Sequence, residues 1–374
     1  MNSNRTTRGI LMCSLVVAGI LVVTGSDANA DFVFGTPENL GPTVNSSSYD
    51  SDGSISADGL ELFFTSDRPG GSGSFDIWVT TRETVQDPWG EPVNLGPTVN
   101  NSDWDVGASI SANGLELYFG SIRPGGYGGM DAWVTTRASV SEPWEEPVNL
   151  GPTVNSSSGD GGLISADGLS LIIASNRSGG YGGFDLYEST RPTLSEPWGT
   201  PVNLGGYVNR SGWDYSAALS PDGLSLFFTS DRPGGYGDMD AWVTTRASVS
   251  EPWEEPVNLG PMVNSSSGDG GPIISADGSI LYFASNRPGG SGSADIWQAS
   301  IGPVVDLNSD GIVDAADMVI MVDHWGTDNS LCDIGPMPWG DGVVDVQDLI
   351  VLAEHLFEEF PPAVPGTPNG EEVE

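Results

Sequence analysis

The sequence predicts an all-β, five-bladed β-propeller over residues 31–302, followed by a small α-helical domain. Two observations carry the propeller prediction: a unit that repeats five times, and an N-terminal segment that matches the part missing from the last repeat. The units align on a turn of the type Ser-Ala-Asp-Gly, which ends at Gly59, Gly114, Gly168, Gly223 and Gly278. The intervals are therefore 55, 54, 55 and 55 residues. A fixed period of this size is typical of repeat architectures, in which each unit buries its apolar face against its neighbours.

Each unit contains four short strand patterns that are separated by turns. In the second unit the strands are expected at 108–111, 115–119, 130–134 and 147–151. An Asn-Gly turn separates the first two strands, and both of its residues tolerate the positive φ of a tight hairpin. A Gly-rich loop separates the second and third strands. Four antiparallel strands per unit form the blade of a β-propeller.

The segment Pro-Val-Asn-Leu-Gly determines how the ring closes. Its copies, which we assign to the fourth strand, lie at 92–96, 147–151, 201–205 and 256–260. No copy follows the last unit, but residues 34–41 match residues 89–96 position by position. We therefore expect the N-terminal segment to complete the fifth blade, which removes exposed sheet edges. An open solenoid is the alternative, and the complementary ends argue against it.

The repeat also resembles a known family. The pattern Ser-[Ala/Pro]-Asp-Gly-Leu-x-Leu-x-Phe-x-Ser-[Asp/Asn]-Arg-Pro-Gly-Gly, followed by Asp-[Ile/Ala]-Trp, is similar to the TolB-type, WD-like β-propeller repeat of bacterial exported proteins. The resemblance covers about residues 34–300 and recurs five times. It implies the fold, but it does not supply an activity, because one fold hosts many functions.

Residues 1–30 are typical of an export signal peptide. Arg5 and Arg8 precede an apolar core at 10–23, and Ala-Asn-Ala at 28–30 is a cleavage site. The apolar core is too short for a membrane span, so none is expected after the signal is removed. The sequence thus predicts an exported protein, either extracellular or at the periplasm or cell surface.

The charge of the chain excludes several partners. Its formal net charge is −39, and because residues 1–30 contribute +1, the remainder carries −40. All 12 basic residues are arginine. Such a chain is repelled by nucleic acids and by anionic membranes, so neither is an expected partner.

The segment 303–358 contains a motif with the ligand spacing of a calcium loop. Oxygen-bearing side chains occupy loop positions 1, 3, 5, 9 and 12, glycine occupies position 6, and a backbone carbonyl serves position 7. These ligand residues are Asp306, Asn308, Asp310, Ile312, Asp314 and Asp317. An amphipathic helix at 315–325 follows, and then a second loop and helix. The second loop offers Asp333, Asp341, Val343, Asp345 and Asp348.

This duplicated loop–helix pattern resembles a type I dockerin, the calcium-dependent module that docks onto cohesin domains. The resemblance implies two Ca²⁺ sites, of which the second is atypical: Asp333 precedes Asp341 by eight residues where the family has four. It also implies a cohesin-type partner. The partner-recognition positions depart from the family, since Ala315, Ala316, Val346 and Gln347 replace the usual Ser/Thr and the helices contain no Lys or Arg. Residues 359–374 are typical of a disordered acidic tail.

The propeller lacks the residues of most catalytic sites. Both histidines, His324 and His355, lie in the C-terminal module, so a Ser-His-Asp triad or a His-ligated zinc is excluded from the propeller. Only carboxylate chemistry remains, and no catalytic residue is predicted.

Three aspartate positions recur in the blades. Those that include Asp76 and Asp58 are expected to be structural, the former paired with the arginine eight residues earlier and the latter in the hairpin turn. The third set lies just before each inner strand, near one mouth of the channel, where it either binds a ligand or caps a loop. The candidate ligand-binding residues are these aspartates and two tryptophans that do not recur: Asp50, Trp104, Asp105, Asp160, Trp213, Asp214 and Asp269.

Two functions fit these patterns. The first is an exported, non-catalytic propeller that binds a glycan, such as a polysaccharide, or a cell-surface protein and is tethered through the dockerin-like module. The alternative is a glycoside hydrolase in polysaccharide degradation, using paired Asp or Glu residues. A carboxylate unique to one blade and facing the channel would favour the enzyme.

Overall fold

A computed structural model describes residues 32–303, 305–308, 312–327, 332–335 and 343–357. The predicted signal peptide and the predicted acidic tail lie outside these residues. The described chain contains 21 strands and three helices, and the strands form five antiparallel sheets, as predicted for a five-bladed propeller.

The first four blades each contain four strands in sequence order. Blade 1 consists of β3 (Asp50–Ile55), β4 (Glu61–Ser66), β5 (Asp76–Thr81) and β6 (Val93–Asn94). Blade 2 consists of β7 (Asp105–Ile110), β8 (Glu116–Ser121), β9 (Asp131–Thr136) and β10 (Val148–Asn149). Blade 3 consists of β11 (Asp160–Ile164), β12 (Ser170–Ser175), β13 (Asp185–Thr190) and β14 (Val202–Asn203). Blade 4 consists of β15 (Asp214–Leu219), β16 (Ser225–Ser230), β17 (Asp240–Thr245) and β18 (Val257–Asn258).

Both ends of the propeller segment contribute to blade 5, which confirms the predicted closure. Its C-terminal strands are β19 (Asp269–Ile274), β20 (Ile280–Ser285) and β21 (Asp295–Pro303). The N-terminal β2 (Glu38–Asn39) pairs with β21 through Glu38↔Gln298 and Asn39↔Trp297, just as β6 pairs with β5. The structure adds one element to the prediction: β1 (Phe32–Phe34) also pairs with the far end of β21.

The inner strands line the channel, and four of them contain a β-bulge. The register shifts within β3, β7, β15 and β19, at residues that adopt positive φ: Asp52, Gly107, Ser216 and Gly271. The inner strand of blade 3, β11, pairs with β12 without a shift. It is one residue shorter, and this missing residue accounts for the single 54-residue interval among the repeats.

Apolar side chains fill the spaces between blades. Leu62, Phe63 and Phe64 of β4 are almost fully buried and pack toward both neighbouring blades. Four tryptophans that occur once per repeat contribute to the same layers: Trp89, Trp144, Trp198 and Trp253. Each is covered by an arginine guanidinium: Arg82 lies 4.2 Å from the centroid of Trp89, which is a cation–π distance.

The C-terminal module has two short helices beyond the small α1 (Gly260–Val263) of the propeller. They are α2 (Ala315–Asp323) and α3 (Val346–Glu354), and α2 ends two residues before the expected boundary. They share an apolar core that includes Val313, Met321, Val344 and Leu352. Among the described residues, no helix is long and apolar enough to cross a membrane.

Ring closure should be essential for stability. Deleting residues 31–42 removes β1 and β2 and leaves β21 as an exposed edge, so we expect a lower melting temperature and aggregation. Differential scanning fluorimetry with light scattering measures both, and a protein that starts at residue 31 is the matched control. Unchanged melting after the deletion would contradict a closed ring.

Candidate functional site

The aspartates that begin the inner strands form buried ion pairs. In the four blades where this side chain is described, the carboxylate is completely buried and accepts a hydrogen bond from an arginine of the same blade. The Nη2–Oδ1 distances are 2.5 Å for Arg68–Asp50, 2.6 Å for Arg123–Asp105, 2.8 Å for Arg232–Asp214 and 2.7 Å for Arg287–Asp269. The expected pairing of these arginines with the set that includes Asp76 is therefore wrong.

The Asp76 set serves the Gly-rich loop instead. Asp76 Oδ2 accepts from the Ser72 backbone N–H at 2.5 Å and from Asn94 Nδ2 at 3.0 Å, and Oδ1 accepts from the Gly73 N–H. The loop folds back so that its own amides meet this carboxylate. The arginine then extends toward the inner strand, where Arg68 also donates to the Val44 carbonyl oxygen at 2.6 Å.

The second oxygen of each inner-strand aspartate caps the loop that enters the blade. Asp50 Oδ2 accepts from the Ser46 backbone N–H at 2.6 Å and from its hydroxyl at 2.9 Å, and Asp269 makes the same contacts with Ser265. Of the two roles expected from the sequence, ligand binding or loop capping, these contacts correspond to loop capping. Of the predicted ligand-binding residues, Asp50, Asp105, Asp214 and Asp269 have this buried placement. The side chain of Asp160 lies outside the described part of the chain.

The two predicted tryptophans lie at the mouth of a cavity in the central channel. Trp104 is 45% exposed and Trp213 is 50% exposed. Each stands against an aromatic ring of the preceding blade: the centroids are 5.5 Å apart for Phe75–Trp104 and 5.6 Å apart for Phe184–Trp213. These contacts hold the two indoles at the rim while leaving one side of each accessible.

The cavity has a volume of about 510 Å³ and a mostly apolar wall. Blade 3 contributes many of its lining residues, namely Gly161, Gly162, Leu163, Ile172, Ala174, Phe184 and Leu186. Blade 3 is the one blade whose inner strand lacks a bulge, so no bulge residue projects into the channel there. Glycines widen the space further, since a Cβ added at Gly107 or Gly161 would meet no atom within 4 Å.

Asp52 is the functional candidate that the sequence analysis missed. It occupies the bulge position of blade 1, lines the cavity, and adopts φ of 34°, a left-handed conformation that is uncommon outside glycine. The equivalent residues are Gly107, Ser216 and Gly271. Comparing these bulge positions across the repeats would have found it, because a carboxylate occurs there in one blade. Backbone strain of this kind is concentrated at functional sites.

The electrostatics around Asp52 are unusual. Burial raises the pKa of the Asp52 carboxyl, and hydrogen bonding by Ser216 and Ser51 opposes this only in part. Burial and the nearby Asp52 charge also raise the pKa of Tyr49 to about 12, and the same causes raise the pKa of Tyr215. A strained carboxyl with a shifted pKa beside two tyrosines is a site where a polar ligand group can bind.

The C-terminal module repeats one arrangement twice. Asp314 and Asp345 cap α2 and α3, and each participates in a capping box with the carboxylate three residues later. Those carboxylates, Asp317 and Asp348, are fully buried. Asp348 Oδ1 accepts from the backbone N–H groups of Ile334 and Gly335 at 2.6 and 2.7 Å.

The predicted calcium ligands are only partly described. Asp306, Asn308, Ile312, Asp333 and Val343 are described, whereas Asp310 and Asp341 lie outside the described residues. Within the described residues, no group of three His, Cys, Asp or Glu side chains is arranged to hold a metal ion. The donor chemistry nevertheless fits a hard cation: the carboxylates of Asp317 and Asp348 are buried, and the sequence has no Lys or Arg after Arg287.

Comparisons with known proteins add fold similarities at low identity. No protein-family model matches the sequence, and no curated protein sequence matches it. Similar solved structures include TolB from Acinetobacter baumannii, with 12% identity and a TM-score of 0.42, over 73% of this chain and 64% of that one. An alpha-L-arabinofuranosidase from Podospora anserina has 14% identity and a TM-score of 0.47, over 73% of this chain and 97% of that one. One from Lactobacillus brevis has 12% identity and a TM-score of 0.46, over 70% and 92%. Function must therefore be argued from the residues of this chain.

The buried ion pairs should be structural. Asp214→Asn leaves the buried guanidinium of Arg232 without a counter-charge, so we expect the free energy of unfolding to fall by about 3 kcal/mol. Urea denaturation measures this change, and Asp238→Asn, an exposed aspartate in the same blade, is the control. Equal stability of the two variants would show that the pair contributes little.

Proposed function

We propose that this protein is an exported glycan-binding propeller whose ligand enters the central channel. The apolar cavity with Trp104 and Trp213 at its rim and Asp52 in its wall is the observation that supports this function. Glycans present apolar ring faces and hydroxyl groups together. Indole rings accommodate the first, and the carboxylate with its hydroxyl-bearing neighbours accommodates the second.

Glycoside hydrolysis is the second candidate, and Asp52 is the observation that favours it. Asp52 is a carboxylate unique to one blade, it faces the channel, and burial raises its pKa, as in a general acid. Hydrolysis by the usual mechanisms requires a second carboxylate about 5–10 Å away. Among the described residues that line the cavity, Asp52 is the one carboxylate, and for this reason we favour binding over catalysis.

We further propose that the C-terminal module is a calcium-dependent tether. Calcium would be held by the oxygen ligands of the first loop, from Asp306 to Asp317, and by the atypical second loop ending at Asp348. Bound calcium would neutralise carboxylates that otherwise repel one another in a segment with no Lys or Arg. A cohesin-type domain is the partner that the family resemblance implies, and the signal-peptide pattern of residues 1–30 supports export.

Blocking the cavity should abolish glycan binding without unfolding the protein. Gly161→Leu places a side chain in free space on an unstrained backbone, and Trp104→Ala removes one stacking surface. We expect no measurable binding for the first variant and a loss of about 1–3 kcal/mol for the second. A polysaccharide array followed by calorimetry measures both, and Gly161→Ala is the small-volume control.

Two outcomes would contradict glycan binding in the channel as the function. Wild-type affinity in Gly161→Leu would show that the channel is not the binding site. Release of shortened glycans by the wild-type protein, lost in Asp52→Asn, would establish the hydrolase instead.

Calcium removal should destabilise the module selectively. In the protein without residues 1–30, we expect a chelator to lower the melting temperature of the C-terminal module and to leave the propeller transition unchanged. Asp317→Asn should weaken calcium binding in calorimetry. The control is Asp323→Asn, an exposed carboxylate at the end of the same helix. Identical melting with calcium and with chelator would contradict a calcium-dependent fold.

A further inference from the structure

We propose that the channel cavity recognises an ammonium group, so that its glycan ligand carries an amino sugar residue. This inference rests on the proposed glycan binding and specifies which class of sugar is bound. Three features support it: the shape of the cavity wall, the charges of its lining residues and the net charge of the whole chain.

Among the described residues that line the cavity, no side chain carries a positive charge to pair with Asp52. The carboxylate lies in a mostly apolar wall, and no arginine is among the described residues that line the cavity. The chain has no lysine at all. The arginines of blades 1 and 2 that pair with inner-strand aspartates, Arg68 and Arg123, are already occupied by Asp50 and Asp105. A desolvated carboxylate is unfavourable until a cation pairs with it, and here a ligand can provide that cation.

The space around the Asp52 carboxylate is wide on one side and closed on the other. Asp52 Oδ1 would lie 2.5 Å from a Cβ added at Gly271 of the adjacent blade 5, so the absence of a side chain there gives the carboxylate its place against that blade. On the other side, the space next to Gly107 and Gly161 is open. A ligand that enters past the rim can therefore reach the carboxylate with a small charged group and keep its body in the wider apolar part.

The charge of the whole chain attracts cations at longer range. The chain without residues 1–30 carries a net charge of −40, which concentrates cations near its surface. At the mouth, the carboxylates of Asp67 and Asp231 accept backbone N–H groups of Tyr49 and Trp213 at 2.7 Å. The indole faces also attract cations through their π electrons. A polymer with protonated amines is thus favoured over a neutral or anionic polymer of the same shape.

The test compares sugars that differ by one charged group. We would measure the affinities of the methyl glycosides of glucosamine, galactosamine and mannosamine and of their neutral 2-hydroxy parents, at a pH where the amines are protonated. At least one amino sugar should bind more tightly than its parent by about 10- to 100-fold, the range for a charged hydrogen bond. Asp52→Asn should remove that preference, so that the amino sugar and its neutral parent bind with similar affinities.

A matched variant separates the ion pair between Asp52 and the ligand from the long-range attraction by the negative charge of the protein. Asp238→Asn removes the same charge from an exposed position of blade 4 outside the cavity lining, so the preference should change by less than about threefold. Asn also tolerates positive φ, and thermal melting of Asp52→Asn should therefore show a folded protein at least as stable as the wild type.

The outcomes distinguish this inference from the function on which it rests. Neutral sugars that bind as tightly as amino sugars would overturn the ammonium site and leave glycan binding intact. A preference that persists in Asp52→Asn would also overturn it. Binding of 2-phenylethylamine but of no sugar would support the ammonium site and reject the glycan. Failure of every probe to bind would reject both.

Discussion

A buried arginine–aspartate pair is the interaction on which the architecture depends in the four blades where both side chains are described. It joins the Gly-rich loop, which contains the arginine, to the first residue of the inner strand. Through the same guanidinium it holds the incoming connection, since Arg68 bonds both Asp50 and the Val44 carbonyl and covers the rings of Phe64 and Trp78. Breaking such a pair leaves an uncompensated buried charge, which costs about 3–5 kcal/mol.

This pair also positions the channel site. The residue before each aspartate lies at the mouth, and Trp104 and Trp213 are two such residues; the bulge lies two residues after it, as in Asp52. Residues at both positions can therefore vary between blades without altering the frame that holds them. Because the ion pair recurs, substitutions at these two positions need not destabilise the blade, and they can change the shape and charge of the channel.

Most of the fold followed from the sequence, because period and turn chemistry are local signals. The 55-residue repeat predicted the blades, and the matching segments 34–41 and 89–96 predicted the closure that β2 and β21 form. The partner of the arginine was predicted wrongly because two aspartates compete for it. Asp76 is eight residues away in sequence, but Asp50, eighteen residues away, meets the guanidinium across the β3–β4 hairpin. Sequence distance does not decide such contacts when a hairpin intervenes.

The site was predicted only in part for a related reason. The tryptophans were found because they vary at a position that the repeat makes easy to align. Asp52 was missed because the equivalent bulge residues of other blades are glycine and serine, which do not suggest a functional position. In addition, the channel is formed by strands that lie far apart in the chain. No local pattern indicates that a carboxylate will line a mostly apolar cavity built from several blades.

The missing residue in β11 has a consequence for how such a ring acquires specificity. Five identical blades would present five equivalent positions, and a ligand smaller than the ring would have no preferred orientation among them. One lost residue in blade 3 and one carboxylate in blade 1 abolish this degeneracy, because they leave an opening on one side and a charge on another. The absence of one residue from blade 3 therefore makes the blades inequivalent around the channel, so that a bound ligand has one preferred orientation.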